Sequence, residues 1–174
     1  MVFRSKKGKT KMLKKIAIVI LFCGLIPMLW SYDNEPDGFR GIKWGTPLDN
    51  FAPAHRNLVS GEGKIDIYTI PNDELRINDS NDELWLQDIW YVFYDKKLAR
   101  ICLLTTGKAN FDKMKRICFN KFGPGIQPKL DEEIYYWYGD TTLLNLIYGN
   151  TGRGFFRMTS AKSSSVSSSN KDGF

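Results

Sequence analysis

The chain offers few side chains for covalent chemistry. His55 is the only histidine among 174 residues, and a general acid or base needs a partner within hydrogen-bond reach, which the neighbouring sequence does not supply. No Gly-x-Ser-x-Gly nucleophile motif occurs. Cys102 and Cys118 stand at apolar positions without an adjacent histidine. The sequence therefore predicts no catalytic residue, and a small hydrolase is the least favoured function.

Acidic residues cluster in two places, and neither cluster has the spacing of a metal site. A calcium-binding loop of the EF-hand type needs alternating acids, a central glycine and a terminal glutamate. The run at 79–83 lacks both the glycine and the spacing, and 131–133 is an acidic run before a predicted strand. We expect both segments to be solvated, and we expect no metal and no cofactor.

Aromatic residues make up 14% of the chain and concentrate at 85–94 and 135–138. A sheet covered by helices on one face does not bury rings on both faces, so the surplus is expected to form an exposed patch bordered by arginines. Such patches are typical of protein or glycan recognition. The residues predicted to bind a partner are Trp85, Trp90, Tyr94, Tyr135, Trp137, Arg153 and Arg157. The prediction fails if Trp90 and Trp137 are both buried on the helix side.

The first half of the chain predicts strands and one short helix that would position these rings. Thr46 is a good N-cap for the helix, and Pro47 suits its first position. Alternating apolar residues and turn signals predict strands at 39–44, 64–70, 84–94 and 98–105, the last two forming a hairpin.

The second half predicts a longer helix at 111–122, capped by Asn110. Its apolar face consists of Phe111, Met114, Ile117, Cys118 and Phe122. Three further strands are predicted at 133–138, 142–149 and 154–159. The expected fold is α+β, an antiparallel sheet of about six to seven strands with two helices on one face. A pseudo-repeat of helix plus β-meander is also predicted.

Residues 1–31 have the features of an export signal. They carry seven basic residues, no acidic residue and an apolar run of 15 residues at 16–30, which is short for a membrane-spanning helix of about 20. The sequence predicts cleavage after Ser31; the alternative is an uncleaved anchor in the inner membrane. Met12 begins a complete signal by itself and is predicted to be the initiator. The expected location is periplasmic or secreted.

The signal also accounts for the basic charge of the chain. The formal net charge is +6, but without the seven basic residues of the signal 18 basic residues stand against 19 acidic ones. A nucleic-acid partner is therefore not expected. The predicted mature protein has a linker at 32–38, one domain at 39–159 and a disordered, serine-rich tail at 160–174.

The cysteines allow two interpretations once export is assumed. Cys102 and Cys118 could form a disulfide in an oxidising compartment, closing a loop worth about 3 kcal/mol. They could equally be buried, unpaired thiols that pack as small apolar groups. Geometry decides between these alternatives.

The segment Phe39-Arg-Gly-Ile-Lys-Trp-Gly-Thr46 resembles the opening motif of a family of exported bacterial proteins of uncharacterised activity. An aromatic hairpin, a helix ending in Phe-Gly and a Tyr-Trp pair match at 89–94, 119–123 and 136–137. The layout is also similar to β-lactamase inhibitor proteins and to small lipoproteins of outer-membrane assembly. The family resemblance implies no activity and assigns no functional residues.

These observations together predict an exported, non-enzymatic envelope protein that binds a protein or glycan through an aromatic sheet face. The alternative, which rests on the resemblance in layout, is an inhibitor-like or envelope-assembly accessory module. Contact with a membrane is expected only through the leader, if it is uncleaved.

Overall fold

The computed structural model describes residues 32–51, 56–71, 73–79 and 82–163. Several predictions fall outside these ranges: the export signal with its start at Met12 and its cleavage site, His55, the centre of the acidic turn at 80–81, and the tail from residue 164 onward.

The described residues form a seven-stranded antiparallel sheet, two small hairpins, one long α-helix, one 3-10 turn and a helical turn at 161–163. The strands of the sheet, in their order across it, are β3 (Asn57–Glu62), β4 (Ile65–Thr69), β7 (Asp88–Tyr94), β8 (Lys97–Thr106), β11 (Arg153–Ser160), β10 (Thr142–Tyr148) and β9 (Ile134–Tyr138). The hairpins are β1 (Gly38–Phe39) with β2 (Ile42–Lys43), and β5 (Arg76–Asp79) with β6 (Asp82–Trp85). The helix is α1 (Lys108–Phe122), and the 3-10 turn is Leu48–Asn50. The predicted α+β class with an antiparallel sheet is confirmed.

Each central strand alternates between a core side and an outer side. In β7, Ile89, Tyr91 and Phe93 are buried, whereas Trp90, Val92 and Tyr94 are half-buried. The buried set joins residues of β8, β9, β10 and β11 in one apolar core. Because successive side chains of a strand point to opposite faces, one face of the sheet forms the core and the other is left for contacts outside it.

The helix α1 covers the core face with the residues that its spacing predicts. Phe111, Met114, Cys118 and Phe122 are buried. The prediction of Asn110 as the helix cap is wrong. The helix begins after Gly107, whose φ of 83° turns the chain directly out of β8, and glycine adopts this conformation most readily.

The first predicted helix is only the 3-10 turn. The backbone around Pro47 is held by the sheet: Leu48 N–H donates to Lys96 O at 2.8 Å, and Gly45 N–H donates to Leu98 O at 2.9 Å. These bonds anchor the start of the turn to the hairpin of β7 and β8. The turn nevertheless covers the core face, since the Phe51 ring lies 4.8 Å from Tyr91 and 5.0 Å from Phe93, measured between centroids.

The segment at 32–38, predicted as a linker, is bound to the domain. Tyr32 Oη donates to Thr142 O at 2.9 Å, and its ring packs edge-on against Phe122. Asn34 Nδ2 donates to Lys121 O at 2.9 Å. Residues 32–37, which we name the N-terminal strap, therefore join the end of α1 to the start of β10.

At the C-terminal end of the described residues, β11 continues through Ser160 and is followed by a helical turn at 161–163.

Candidate binding surface

The face of the sheet opposite α1, which we name the open face, carries a continuous row of side chains across five strands. Strand register aligns Trp90 with Cys102, Cys102 with Arg157, Arg157 with Asn145, and Asn145 with Tyr136. Directly paired residues share a face, so all five point away from the core. Among the described residues, no helix or further strand packs over this row.

Three arginines lie on the two strands at the middle of this face. Arg100 belongs to β8, and Arg153 and Arg157 belong to β11; we name them the arginine stripe. Arg100 Nε donates to Thr159 Oγ1 at 3.0 Å, and the Arg157 guanidinium lies 5.5 Å from the centroid of the Phe155 ring. Within the part of the chain that the structure describes, none of the three forms a salt bridge.

Aromatic side chains flank the arginine stripe on both sides. Trp90 and Tyr94 lie on β7, and Tyr136 and Tyr138 lie on β9 with their rings stacked at 6.1 Å. Tyr138 is 41% exposed, and the other three are half-buried. The aromatic residues thus border the arginines, and both residue types are enriched in protein interfaces.

Acidic side chains are nearly absent from this face between β7 and β9; Glu62, at its far edge on β3, pairs through Ile65 with Tyr94. Asp88 is the one acidic residue on the open face of the five described strands from β7 to β9. Its carboxylate is already engaged, because it accepts hydrogen bonds from Trp90 Nε1 at 2.9 Å and from Ile89 N–H at 2.8 Å. Between β7 and β9 the open face therefore has a net positive charge, and the Asp88 carboxylate orients the Trp90 ring.

The two cysteines, one on β8 and one on α1, are unpaired thiols in the structure and lie on opposite sides of the sheet. Alternation along β8 sends Ile101 and Leu103 toward α1 and Cys102 away from it, while Cys118 is buried on the core-facing side of α1. Burial raises the pKa of Cys102, and the charges of Arg100 and Arg157 oppose that shift. Burial also raises the pKa of Cys118. Both thiols pack as small apolar groups.

Two residues of the predicted patch, Tyr135 and Trp137, lie in the core instead. Trp137 is 3% exposed, packs against Phe119 and Phe156, and donates from Nε1 to Gly123 O at 2.9 Å. The aromatic run on β9 alternates, so its other two members, Tyr136 and Tyr138, face outward. Trp90 is not on the helix side, so the burial of Trp137 alone does not exclude an aromatic patch.

Trp85 is exposed but belongs to a different surface. It lies on β6, 54% exposed, with the Arg76 guanidinium 5.9 Å from the centroid of its ring. This hairpin contacts α1, where Lys113 Nζ donates to Glu83 O at 3.0 Å. Trp85 therefore lies apart from the open face and is a matched control for its aromatic residues.

A charged cluster joins α1 to β9 on the core side. Lys115 Nζ lies 2.9 Å from Glu133 Oε2 and 2.5 Å from Tyr135 Oη, and Tyr135 donates to Glu133 at 2.8 Å. Partial burial would raise the pKa of Glu133, but hydrogen bonds from Lys115, Tyr135 and Lys108 outweigh it and lower that pKa to about 2. The cluster is a stabilising network whose carboxylate is engaged by several donors.

A groove of about 730 Å³ opens at one end of the sheet. Tyr94 and Lys97 belong both to its lining and to the open face. Its other charged lining residues are Asp37, Lys43, Lys64, Asp95, Asp140 and Lys162. The groove has lysines and aspartates in nearly equal number, so it lacks the charge asymmetry of the arginine stripe.

The residues of the predicted family motif have structural partners. The Phe39 ring packs 6.3 Å from Tyr91, and Arg40 pairs with Asp73 at 2.5 Å. Asp73 also accepts from Tyr91 Oη at 2.7 Å. Trp44 Nε1 donates to Thr142 Oγ1 at 2.7 Å. The motif thus fastens the start of the domain onto the core.

The described ranges contain neither a cluster of metal ligands nor a membrane-spanning helix. There, no group of three or more His, Cys, Asp and Glu residues is arranged to hold a metal ion. None of the helices in those ranges has the length and apolar character needed to span a membrane.

Comparison with known proteins leaves the resemblance suggested by the motif at 39–46 a prediction. No family model matches the chain, and no curated protein sequence and no solved structure matches it.

Proposed function

We propose that this chain is an exported, non-enzymatic envelope protein that binds a partner protein through the open face. The observation that supports this most is the arginine stripe on the two middle strands, bordered by Trp90 and Tyr94 on one side and by Tyr136 and Tyr138 on the other. Aromatic residues and arginine are enriched where proteins contact one another, and they contribute most of the binding energy there.

The shape of the surface favours a protein over a small ligand. Sites for small molecules are concave and enclose most of the ligand, whereas these side chains extend across five adjacent strands. Neighbouring strands lie about 4.8 Å apart, so five strands span roughly 19 Å. A surface of this width suits a macromolecular partner, with a glycan as the competing outcome of the test.

Site-specific photo-crosslinking tests the proposal. A photoreactive phenylalanine derivative replaces Tyr138 on the open face or, as control, Trp85 on β6; both positions are exposed aromatics. In intact envelopes we expect a protease-sensitive cross-linked product from position 138 that is absent from position 85. Equal products from both positions, or none from 138, would contradict the proposal. A product that resists protease and is cleaved by periodate would identify a glycan partner instead.

An inhibitor-like or envelope-assembly accessory module is a narrower form of the same proposal. The antiparallel sheet with one face covered by α1 supports it, and the pseudo-repeat of helix plus meander belongs to this proposal as well. Periplasmic or secreted location rests on the leader at 1–31. N-terminal sequencing of the protein from a periplasmic fraction tests that location, with residue 32 expected at the mature terminus and an intact leader contradicting it.

A further inference from the structure

We infer that the partner presents an acidic, extended segment that lies along the arginine stripe; this rests on the proposed function. The open face between β7 and β9 carries three arginines and Lys97 against the single acid Asp88 among the described strand residues. When the charges of two proteins are complementary, they speed the association of the pair and disfavour binding to other proteins. A basic surface of this kind selects a ligand that carries carboxylates.

The arrangement of two arginines sharpens this inference. Arg100 is paired with Thr159 and Arg157 with Cys102, so the two arginines are diagonal neighbours on adjacent strands. The backbones of diagonal neighbours lie about 7–8 Å apart, and like charges on neighbouring side chains repel each other. Both guanidinium charges act on the Cys102 thiol between them. A carboxylate placed between the two arginines would relieve their repulsion and accept hydrogen bonds from both.

The length of the stripe indicates an extended ligand. Arg153 and Arg157 lie four residues apart on β11, about 13 Å along a strand. Same-face residues of an extended partner recur every second position, so acids at positions i and i+4 would reach both arginines. The rings of Trp90 and Tyr136, on either side, would contact apolar side chains between those acids.

A defined polymer probe tests this chemistry even though the partner is unidentified. The probe is a fluorescent random copolymer of glutamate and tyrosine, with a lysine–tyrosine copolymer and polygalacturonate as comparisons. We expect the full chain to bind the glutamate–tyrosine copolymer and to bind it more weakly as salt rises from about 0.05 to about 0.5 M, because screening shortens the range of the charges. Arg157→Glu and Arg100→Glu should each weaken binding by about tenfold or more.

The matched control is Arg116→Glu, which changes the same charge at an exposed position of α1 on the opposite side of the sheet, and it should leave binding unchanged. Circular dichroism verifies that each variant is folded. Equal binding of the lysine–tyrosine copolymer, tighter binding of polygalacturonate, or indifference to both stripe variants would overturn the inference. If cross-linking at position 138 succeeds while the copolymer does not bind, the open face still binds a protein, and only its acidic character is refuted. If cross-linking also fails, the proposed function fails with it.

Discussion

The carboxylate of Glu35 accepts a hydrogen bond from Thr142 N–H at 2.6 Å, although 107 positions separate the two residues. The same oxygen accepts from Thr141 N–H at 2.6 Å. The turn between β9 and β10 thus binds a carboxylate of the N-terminal strap with its backbone amides. Gly139 permits the close approach, because a Cβ there would overlap Glu35 Oε1. The domain therefore starts at the strap, before the motif at 39–46.

Glu35→Gln should lower the free energy of unfolding by about 1–2 kcal/mol, because it weakens hydrogen bonds that a charged acceptor strengthens. Chemical denaturation measures the change. Asp33→Asn removes the same charge at an exposed neighbouring position and should change stability by less than about 0.5 kcal/mol. Equal losses in the two variants would show that the amides of the turn do not bind Glu35 specifically.

Acid should destabilise the domain through Glu133. Its pKa is lowered to about 2 from an ordinary value of 4.5, so below pH 4.5 the unfolded chain binds more protons than the folded one. Stability from this group is complete above pH 4.5 and is lost as the pH falls toward 2. Urea denaturation between pH 6 and pH 2 should show the decline, and Glu133→Gln should reduce its slope. An unchanged slope in that variant would mean that other carboxylates cause the decline.

Neither Cys102 nor Cys118 should react with a thiol reagent in the native protein. Cys102 is 6% exposed and Cys118, on the core-facing side of α1, is 3% exposed. Burial raises the pKa of both thiols, so little reactive thiolate forms. Mass spectrometry after iodoacetamide treatment should find both thiols modified only in guanidinium chloride. A native mass lighter by the two thiol hydrogens would demonstrate a disulfide and contradict the placement of the cysteines on opposite sides of the sheet.

Gly154→Ala should destabilise the junction between β11 and α1 by about 1–3 kcal/mol, as overpacking does. A Cβ at Gly154 would lie 2.5 Å from Thr105 Oγ1 and 2.8 Å from Phe111 Cδ2. Gly149→Ala is the matched control, since its nearest atoms lie 3.8 Å away. Thermal denaturation compares the two variants. If they melt at the same temperature, α1 does not pack closely on β11 at this glycine.

The periodicity of apolar residues predicts those strands and helices whose buried face depends only on the geometry of the element itself. The strand predicted at 84–94 is observed only at Asp88–Tyr94, because Leu84 and Trp85 belong to β6. The apolar spacing from Phe111 to Phe122 predicts the buried face of α1. Both signals depend only on the period of the element.

The structure differs from the sequence predictions where contacts between distant parts of the chain determine which way a segment faces or what it binds. β9 is aromatic at four successive positions, so its sequence does not show that Trp137 faces the core and Tyr136 the outside; only its register with β10 does. The polar strap resembles a linker because its partners, Thr142 and Lys121, lie far along the chain. The predicted binding residues do not include Arg100. It lies two positions before Cys102 on β8, and this spacing places both side chains on the open face.

Hydroxyl-radical footprinting tests the central claim, that the open face is the binding surface, most directly. The protein is labelled alone and in envelope extract, and oxidation of its aromatic side chains is compared. We predict protection of Trp90, Tyr136 and Tyr138 in the extract, with the oxidation of Trp85 unchanged. Protection of Trp85 alone, or unchanged oxidation at all three residues of the open face, would contradict the claim.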